Sequence, residues 1–361
     1  MIRVLHIVTI MNRGGLETMI MNYYRNIDKS KIQFDFLVHR YEKGVFDEEI
    51  LKLGGKIYQL PRLNPFSLSY RKKLNTFLKK GKYNIIHVHQ DCMSSIILKY
   101  AYKNDVQFRI AHSHNASQDK NLKYIIKIFY KKYIPKYATH LFACGKEAGD
   151  WMFGNSNYTI INNAIDAKKY RYNCDIRKIK REKLNLSQKK VIIHIGRFNH
   201  QKNHPFLIDI FYEVLKFNKN FILLLIGDGE DRRNIENKVN ELKISDYVLF
   251  LGIREDVSDL LQVADIFLLP SYFEGLSLAS IEAQAAGLPC LISDTIPIEC
   301  KKTDLVWQMS LNDAPKQWAK KIQSLAEIKR VDTYESIKKE NFDINENAKW
   351  LSNFYLKLGH K

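Results

Sequence analysis

Two carboxylates, Glu274 and Glu282, stand with seven residues between them in Leu268–Ile292, which reads LLPSYFEGLSLASIEAQAAGLPCLI. The first lies in a loop that leaves an apolar run ending at Pro270. The second lies inside a helix predicted over Leu276–Ala286, which Gly287 and Pro289 terminate. A loop that ends at a helix N-terminus offers free backbone N–H groups to an anion. Acids beside such a cradle are electrostatically awkward unless they accept hydrogen bonds from hydroxyls, and ribose and hexose hydroxyls meet that need. A lone pair of helix acids is ordinary surface charge. Set between PSxxEG and an AxxxGxP-like exit, this pair reads as a ligand site.

Three further groups fit the same chemistry. Directly after a strand at Val191–Ile195 comes GRFNHQKN, where Gly196 opens a loop carrying Arg197 and Lys202. An arginine fork and a lysine point charge five residues apart can bracket a diphosphate. Near the N-terminus, a β-branched strand at Arg3–Ile10 runs into Asn12–Gly15 and a helix over Leu16–Tyr24, so Gly14 and Gly15 sit where a phosphate cradle forms. In AHSHN, His112 and His114 close another strand, the end at which doubly wound sheets bind ligands.

Together these residues resemble retaining nucleotide-sugar glycosyltransferases of the glycogen-synthase-like type, glycosyltransferase family four, in its bacterial capsule and exopolysaccharide branch. The resemblance is strongest over residues 191–292 and loosest over 30–110. It implies the α/β GT-B fold, two Rossmann-like doubly wound parallel-sheet domains facing a cleft. It gives Glu282 the donor ribose and Glu274 the transferred sugar, with backbone at Gly275 and Leu276 meeting sugar and phosphate. Arg197 and Lys202 match the residues that hold the donor diphosphate, and His112 matches a contact to the donor sugar. NRGGLE is similar to a GGxE loop near the phosphates and acceptor. Gly227 and Gly229 of GDGED resemble a turn by the base, with backbone at Ile253 meeting that base. Two departures stand out. Ala164 replaces glycine in NNAID, and ISDTIPIE occupies a place where the family often has a glycine-rich turn.

The elements that must position these groups follow from the pattern. Strands alternate with helices throughout, which predicts parallel doubly wound sheets. The expected division is an acceptor- and membrane-facing domain over 1–168, rejoined by a C-terminal helix at about 345–361, and a nucleotide-sugar domain over 169–344. At 361 residues each has enough chain to bury a core. No apolar run approaches the ~18–20 residues of a membrane span. The five cysteines are scattered, with no CxxC pair, which points to reduced thiols and a cytoplasmic setting.

Charge is uneven. The net formal charge is +18, and residues 1–170 hold 28 Lys and Arg against 13 Asp and Glu, where the remainder holds 29 against 26. A basic half points to a negatively charged partner, nucleic acid or an anionic membrane. The segment Lys120–Lys136, KNLKYIIKIFYKKYIPK, spaces its apolar residues for a helix with six lysines largely opposite. That pattern suits a helix lying on the inner face of a membrane, or a core helix with a solvated basic face. No aromatic–basic RNA motif or recognition helix accompanies the charge, which disfavours nucleic acid. A catalytically inactive GT-B scaffold is the other alternative, and intact Arg197, Lys202, Glu274 and Glu282 stand against it. The reading is a hexosyltransferase-type enzyme moving a sugar from a nucleoside-diphosphate sugar, UDP-sugar favoured, to a glycan, with a lipid-linked acceptor expected. No resident cofactor is expected. No DxD occurs anywhere in the chain, so no metal site is expected either.

Overall fold

The computed structural model of the protein describes residues 1–115 and 124–359. The chain forms two compact units, Met1–Ala164 with Ile344–Lys361, and Ile165–Asp343. The entry into the second unit thus falls ahead of residue 168, because Ile165 and Ala167 pack with Ile281 and Ala285.

In the first unit the strands are β1 (Ile2–Val8), β2 (Ile32–Val38), β3 (Ile57–Gln59), β4 (Ile85–Val88), β5 (Phe108–Ser113), β6 (His140–Ala143) and β7 (Thr159–Ile160). They lie in the order β3-β2-β1-β4-β5-β6-β7, with every pairing parallel. All seven residues of β2 are buried, as a parallel strand covered on both faces requires. The helix Ile344–Gly359 covers one face, where Ala348, Leu351 and Tyr355 pack with Phe34, Phe36 and Phe142.

The second unit repeats the plan with β8 (Lys190–Ile195), β9 (Phe221–Ile226), β10 (Val248–Gly252), β11 (Ile266–Leu269), β12 (Cys290–Ser293) and β13 (Val306–Met309). Its order is β10-β9-β8-β11-β12-β13, again parallel throughout. The winding therefore reverses between β1 and β4 in one unit and between β8 and β11 in the other. Those are the switch points beyond whose carboxyl ends such sheets bind ligands. Within the second unit the incoming and outgoing chains pair, with Ile165 N–H donating to the Phe342 carbonyl at 3.0 Å.

The structure corrects several expectations. The basic segment is not one helix but two, Tyr124–Lys131 and Ile134–Tyr137. Pro135 causes the break, since it has no N–H and its ring clashes with the carbonyl four residues back, at Lys131. Lys120, Leu122 and Lys123 lie outside the described residues. The helix expected over Leu276–Ala286 spans Leu278–Ala285, because Ser277 is extended backbone at its N-cap. Ala164 does not take the left-handed backbone that a glycine there would permit. It is fully buried, and its carbonyl accepts from Asn22 Nδ2 at 3.4 Å. The strand β13 and the helix Tyr334–Lys339 were not expected from the sequence.

Candidate active site

The switch point of the second unit gathers most of the candidate residues. The loop after β8 and the loop after β11 meet there through an ion pair, Lys202 Nζ to Glu274 Oε1 at 2.6 Å, with side chains only 15% and 7% exposed. Gln201 reinforces it, donating from Nε2 to the Phe273 carbonyl at 2.9 Å and to Glu274 Oε2 at 3.3 Å. The Tyr272 N–H donates back to the Gln201 carbonyl at 2.9 Å. Arg197 behaves differently. Its guanidinium pairs with Glu230 at 3.0 Å, and both side chains are exposed.

Backbone closeness explains the glycines. Gly227 has φ +134, and a Cβ there would lie 2.0 Å from the Gly196 carbonyl oxygen. A Cβ on Gly229 would lie 2.3 Å from the Phe198 carbonyl oxygen. Only glycine allows the turn after β9 to press against the Arg197–Lys202 loop this way. Phe198 N–H donates to the Asp228 carbonyl and Asp231 N–H to the Phe198 carbonyl, each at 3.1 Å. Ile253, just past β10, is 69% exposed, so its backbone rather than its side chain is what the site could use.

Beyond Glu274, Gly275 and Leu276 lead into a helix start with no side-chain cap. Its first N–H groups are therefore available to an anion. Ser277 Oγ is buried without a partner beside it. Cys300 Sγ lies beneath this turn, accepting from Ser277 N–H and approaching the Gly275 carbonyl, both at 3.4 Å. The divergent ISDTIPIE stretch acts as a buttress. The hydroxyls of Ser293 and Thr295 both donate to the Ser271 carbonyl, at 2.6 and 2.9 Å. On the helix, Glu282 Oε1 accepts from Tyr170 Oη at 2.9 Å. Burial pushes this carboxyl up to about 7.

The first unit contributes a separate cluster. Gly14 is the N-cap of the helix Gly15–Asn26, and the Glu17 carboxylate folds back beside it, within 2.3 Å of where a Gly14 Cβ would stand. Burial raises the Glu17 pKa. Asn163 Nδ2 reaches the Gly15 carbonyl at 3.4 Å. His112 is buried on β5 and does not stand alone. His87 Nε2 bonds His112 Nδ1 at 3.1 Å, His6 Nδ1 bonds His89 Nε2 at 3.1 Å, and His89 Nδ1 bonds His114 Nε2 at 2.9 Å. Sequence reasoning singled out His112 and His114 and missed His6, His87 and His89. The signal was present as a second His-x-His at the end of β4, since alternation puts both pairs on one face of the sheet. Ring nitrogens of His89, His112 and His114 lie within 4.8 Å of one another, as do those of His6, His87 and His89.

The part-buried ion pair makes a stability prediction. Lys202→Met should leave the Glu274 carboxylate without its cation and cost about 1–3 kcal/mol of unfolding free energy. Lys202→Met with Glu274→Gln should recover most of that loss in urea denaturation. A double mutant no more stable than the single would show that the pair is not what holds the two loops.

Comparison with known proteins identifies the family. Residues 175–343 match the family model of glycosyl transferases group 1, and residues 13–169 match that of glycosyltransferase family 4. The chain is 35% identical to the glycosyltransferase EpsF of Bacillus subtilis, over 98% of this chain and 96% of that one. It is 27% identical to the capsular polysaccharide biosynthesis glycosyltransferase CapH of Staphylococcus aureus, over 99% of each. A UDP-Gal:alpha-D-GlcNAc-diphosphoundecaprenol alpha-1,3-galactosyltransferase of Escherichia coli is 26% identical over 61% of this chain and 60% of its own length. Among solved structures, Anabaena HepE in complex with UDP and glucose superposes with a TM-score of 0.76 at 14% identity, covering 99% of this chain and 100% of that one, which shows the shared GT-B fold. The chain belongs to glycosyltransferase family four, as a hexosyltransferase-type glycosyltransferase of the bacterial capsule and exopolysaccharide kind.

Proposed function

We propose that the enzyme is a retaining, metal-independent glycosyltransferase that moves a sugar from a UDP-sugar to a hydroxyl of a lipid-linked glycan. The observation that carries this reading is the pairing of Lys202 with Glu274 beside an uncapped helix N-terminus at the β8/β11 switch point. The chemistry asks chiefly for stabilisation of a departing diphosphate, and preorganised cations and helix N–H groups supply it. Lys202 is already held in place. Arg197 sits in an exposed pair, which is weakly bound and free to exchange its partner for a phosphate. Glu274 is engaged by Lys202 and Gln201, which suits a carboxylate that orients sugar hydroxyls rather than attacks. Retention then follows front-face attack, with the diphosphate oxygen taking the proton of the incoming hydroxyl. His112 meets the donor sugar and Glu282 the ribose. The absence of a DxD motif supports metal independence. The UDP bound by HepE supports the choice of base, and the diphosphoundecaprenol in the E. coli relative's name supports a lipid-linked acceptor.

Attachment to an anionic leaflet on the cytoplasmic side is part of the proposal. The helix Tyr124–Lys131 has no buried residue, and Ile125 and Phe129 are 77% and 53% exposed. Lys131 turns inward, donating to the Trp151 carbonyl at 2.5 Å and lying over its ring, so it is not one of the outward charges. Beside this helix, Arg71, Lys99, Lys103, Tyr130 and Tyr133 line a groove of about 400 Å³, a basic and aromatic surface suited to lipid phosphate. No helix among the described residues is long and apolar enough to cross a membrane.

Four outcomes test the proposal. A thermal-shift panel of nucleoside diphosphates and their sugars should select UDP and UDP-sugars. Arg197→Ala and Lys202→Ala should each then lower kcat/KM by about 2–4 kcal/mol of transition-state stabilisation. Unchanged kcat/KM in both would remove them from the reaction.

Glu282 sets a pH dependence. Ribose hydroxyls donate to its carboxylate, and burial makes that form scarce below about pH 7. The affinity for UDP-glucose, whose diphosphate does not titrate in this range, should fall as pH drops below about 7 in wild type and level off near that of Glu282→Gln once the carboxyl is protonated. In Glu282→Gln the profile should be flat. A sloping profile in the mutant would assign the proton to another group.

Replacing Ile125 and Phe129 by Ser should reduce sedimentation with anionic vesicles and leave UDP affinity unchanged. Neutral vesicles should bind neither protein, and high salt should release the wild type. Equal binding by mutant and wild type would make the helix an ordinary surface element.

A further inference from the structure

The histidine cluster contains a directional relay. Tyr355 Oη lies 2.6 Å from His87 Nδ1, and His87 Nε2 lies 3.1 Å from His112 Nδ1. All three side chains are buried, at 0%, 2% and 3% exposure. At the far end, His112 Nε2 is buried with no hydrogen-bond partner. A neutral imidazole carries one N–H and one bare nitrogen, so a chain of neutral imidazoles has a single direction: fixing the proton at one end fixes it at the other.

The acidity of the two groups decides that direction. The atoms lie 2.6 Å apart, within hydrogen-bond distance. A phenol is a far stronger acid than the N–H of a neutral imidazole, and an imidazole nitrogen is a stronger base than a phenolic oxygen. Tyr355 therefore donates to His87 Nδ1. The proton of neutral His87 must then sit on Nε2, from which it is donated to His112 Nδ1. With Nδ1 accepting, neutral His112 carries its proton on Nε2. Burial drives the pKa values of both histidines well below the ordinary value, which keeps both rings neutral. The unpartnered atom is then an N–H donor with nothing to donate to, a costly state that an acceptor oxygen relieves.

We propose that Tyr355 and His87 are positioning residues that fix His112 as an Nε2–H donor aimed at an oxygen of the transferred sugar. The sugar half of this inference rests on the donor reading above; the relay itself does not. Tyr355 comes from the helix Ile344–Gly359, the segment that returns to the first unit after the second is complete. The residue that sets the proton at the end of β5 is thus supplied from the far end of the chain.

The test reads the proton directly. Two-bond proton–nitrogen spectra of protein labelled at the histidine nitrogens, with His112 assigned by its loss in His112→Gln, report which nitrogen is protonated. Wild type should show His112 as the Nε2–H form. In Tyr355→Phe, which keeps the buried ring, the Nε2–H form should give way to a mixture or to Nδ1–H. Calorimetry with UDP and UDP-glucose as probes should show UDP binding unchanged in Tyr355→Phe and UDP-glucose binding weakened about fivefold, on the scale of one hydrogen bond. Nδ1–H on His112 in wild type, which a metal ion held on Nε2 would also produce, overturns the relay. So does a Tyr355→Phe spectrum identical to wild type. If the proton moves as expected and UDP-glucose affinity does not change, the relay stands and the assignment of His112 to the sugar falls.

Discussion

The site of the second unit depends on one largely desolvated, part-buried ion pair, Lys202 with Glu274. Withdrawing two charges from water costs several kcal/mol per ion, and a contact at 2.6 Å with extra hydrogen bonds is what offsets it. The loops after β8 and β11 are consequently held in register by an interaction that neither could keep alone. The result is an asymmetric pair of cations. Lys202 is ordered before any ligand arrives, and its charge is partly neutralised. Arg197 is exposed, holds Glu230 weakly, and can turn its fork to a phosphate at little cost. A preorganised charge and an adaptable one are what the proposed diphosphate leaving group would need, since its negative charge grows during the reaction.

That ion pair in turn depends on backbone clearance. The 2.0 Å that would separate a Gly227 Cβ from the Gly196 oxygen leaves no substituent possible there, and the φ of +134 disfavours one independently. The loop bearing Arg197 and Lys202 is therefore backed by bare peptide from the β9 turn, which cannot move without moving the cations. On the other side, Cys300 and the Ser293 and Thr295 hydroxyls support the Ser271–Ser277 stretch from beneath. The segment that departs most from the family pattern is thus a support for the loop, and its sequence is constrained by hydroxyl placement rather than by glycine.

The sequence made the sheets legible because parallel strands buried on both faces read as apolar runs, as β9 and β11 do. The candidate anion-binding loops were legible because glycine, arginine and glutamate cluster within a few residues of strand ends. What escaped was either long-range or weakly marked. Nothing local announces that Lys202 pairs with a residue 72 positions away, or that Tyr170 bonds Glu282 across 112 positions. The four residues of β13, VWQM, carry too short an apolar signal to separate from loop. Pro135 was in plain view, but the helical spacing of Ile125, Phe129 and Tyr133 outweighed it, and the local backbone rule won. The histidines show the same division. Period-two alternation was available to show that the residues of each His-x-His share a face, and only the fold revealed that β1, β4 and β5 place five rings side by side.

The chain's two crossings between units share a property. Entering the second unit at Ile165, it places Tyr170 within one short helix of the crossing, and that hydroxyl braces Glu282. Returning at Ile344, it places Tyr355 on the helix that follows, and that hydroxyl braces His87 and through it His112. Each brace is a tyrosine O–H given to a titratable group, part-buried at Glu282 and buried at His87, and each acts within a single unit. Donation to the Glu282 carboxylate satisfies one oxygen and leaves the other to a ligand, and donation to His87 leaves a single N–H at the end of its chain. In both, a hydroxyl of fixed direction converts a group with several protonation or hydrogen-bonding options into one with a single option. An enzyme that must recognise hydroxyl-rich ligands needs that reduction, because a sugar offers donors and acceptors at every carbon and only a site of fixed polarity discriminates among them.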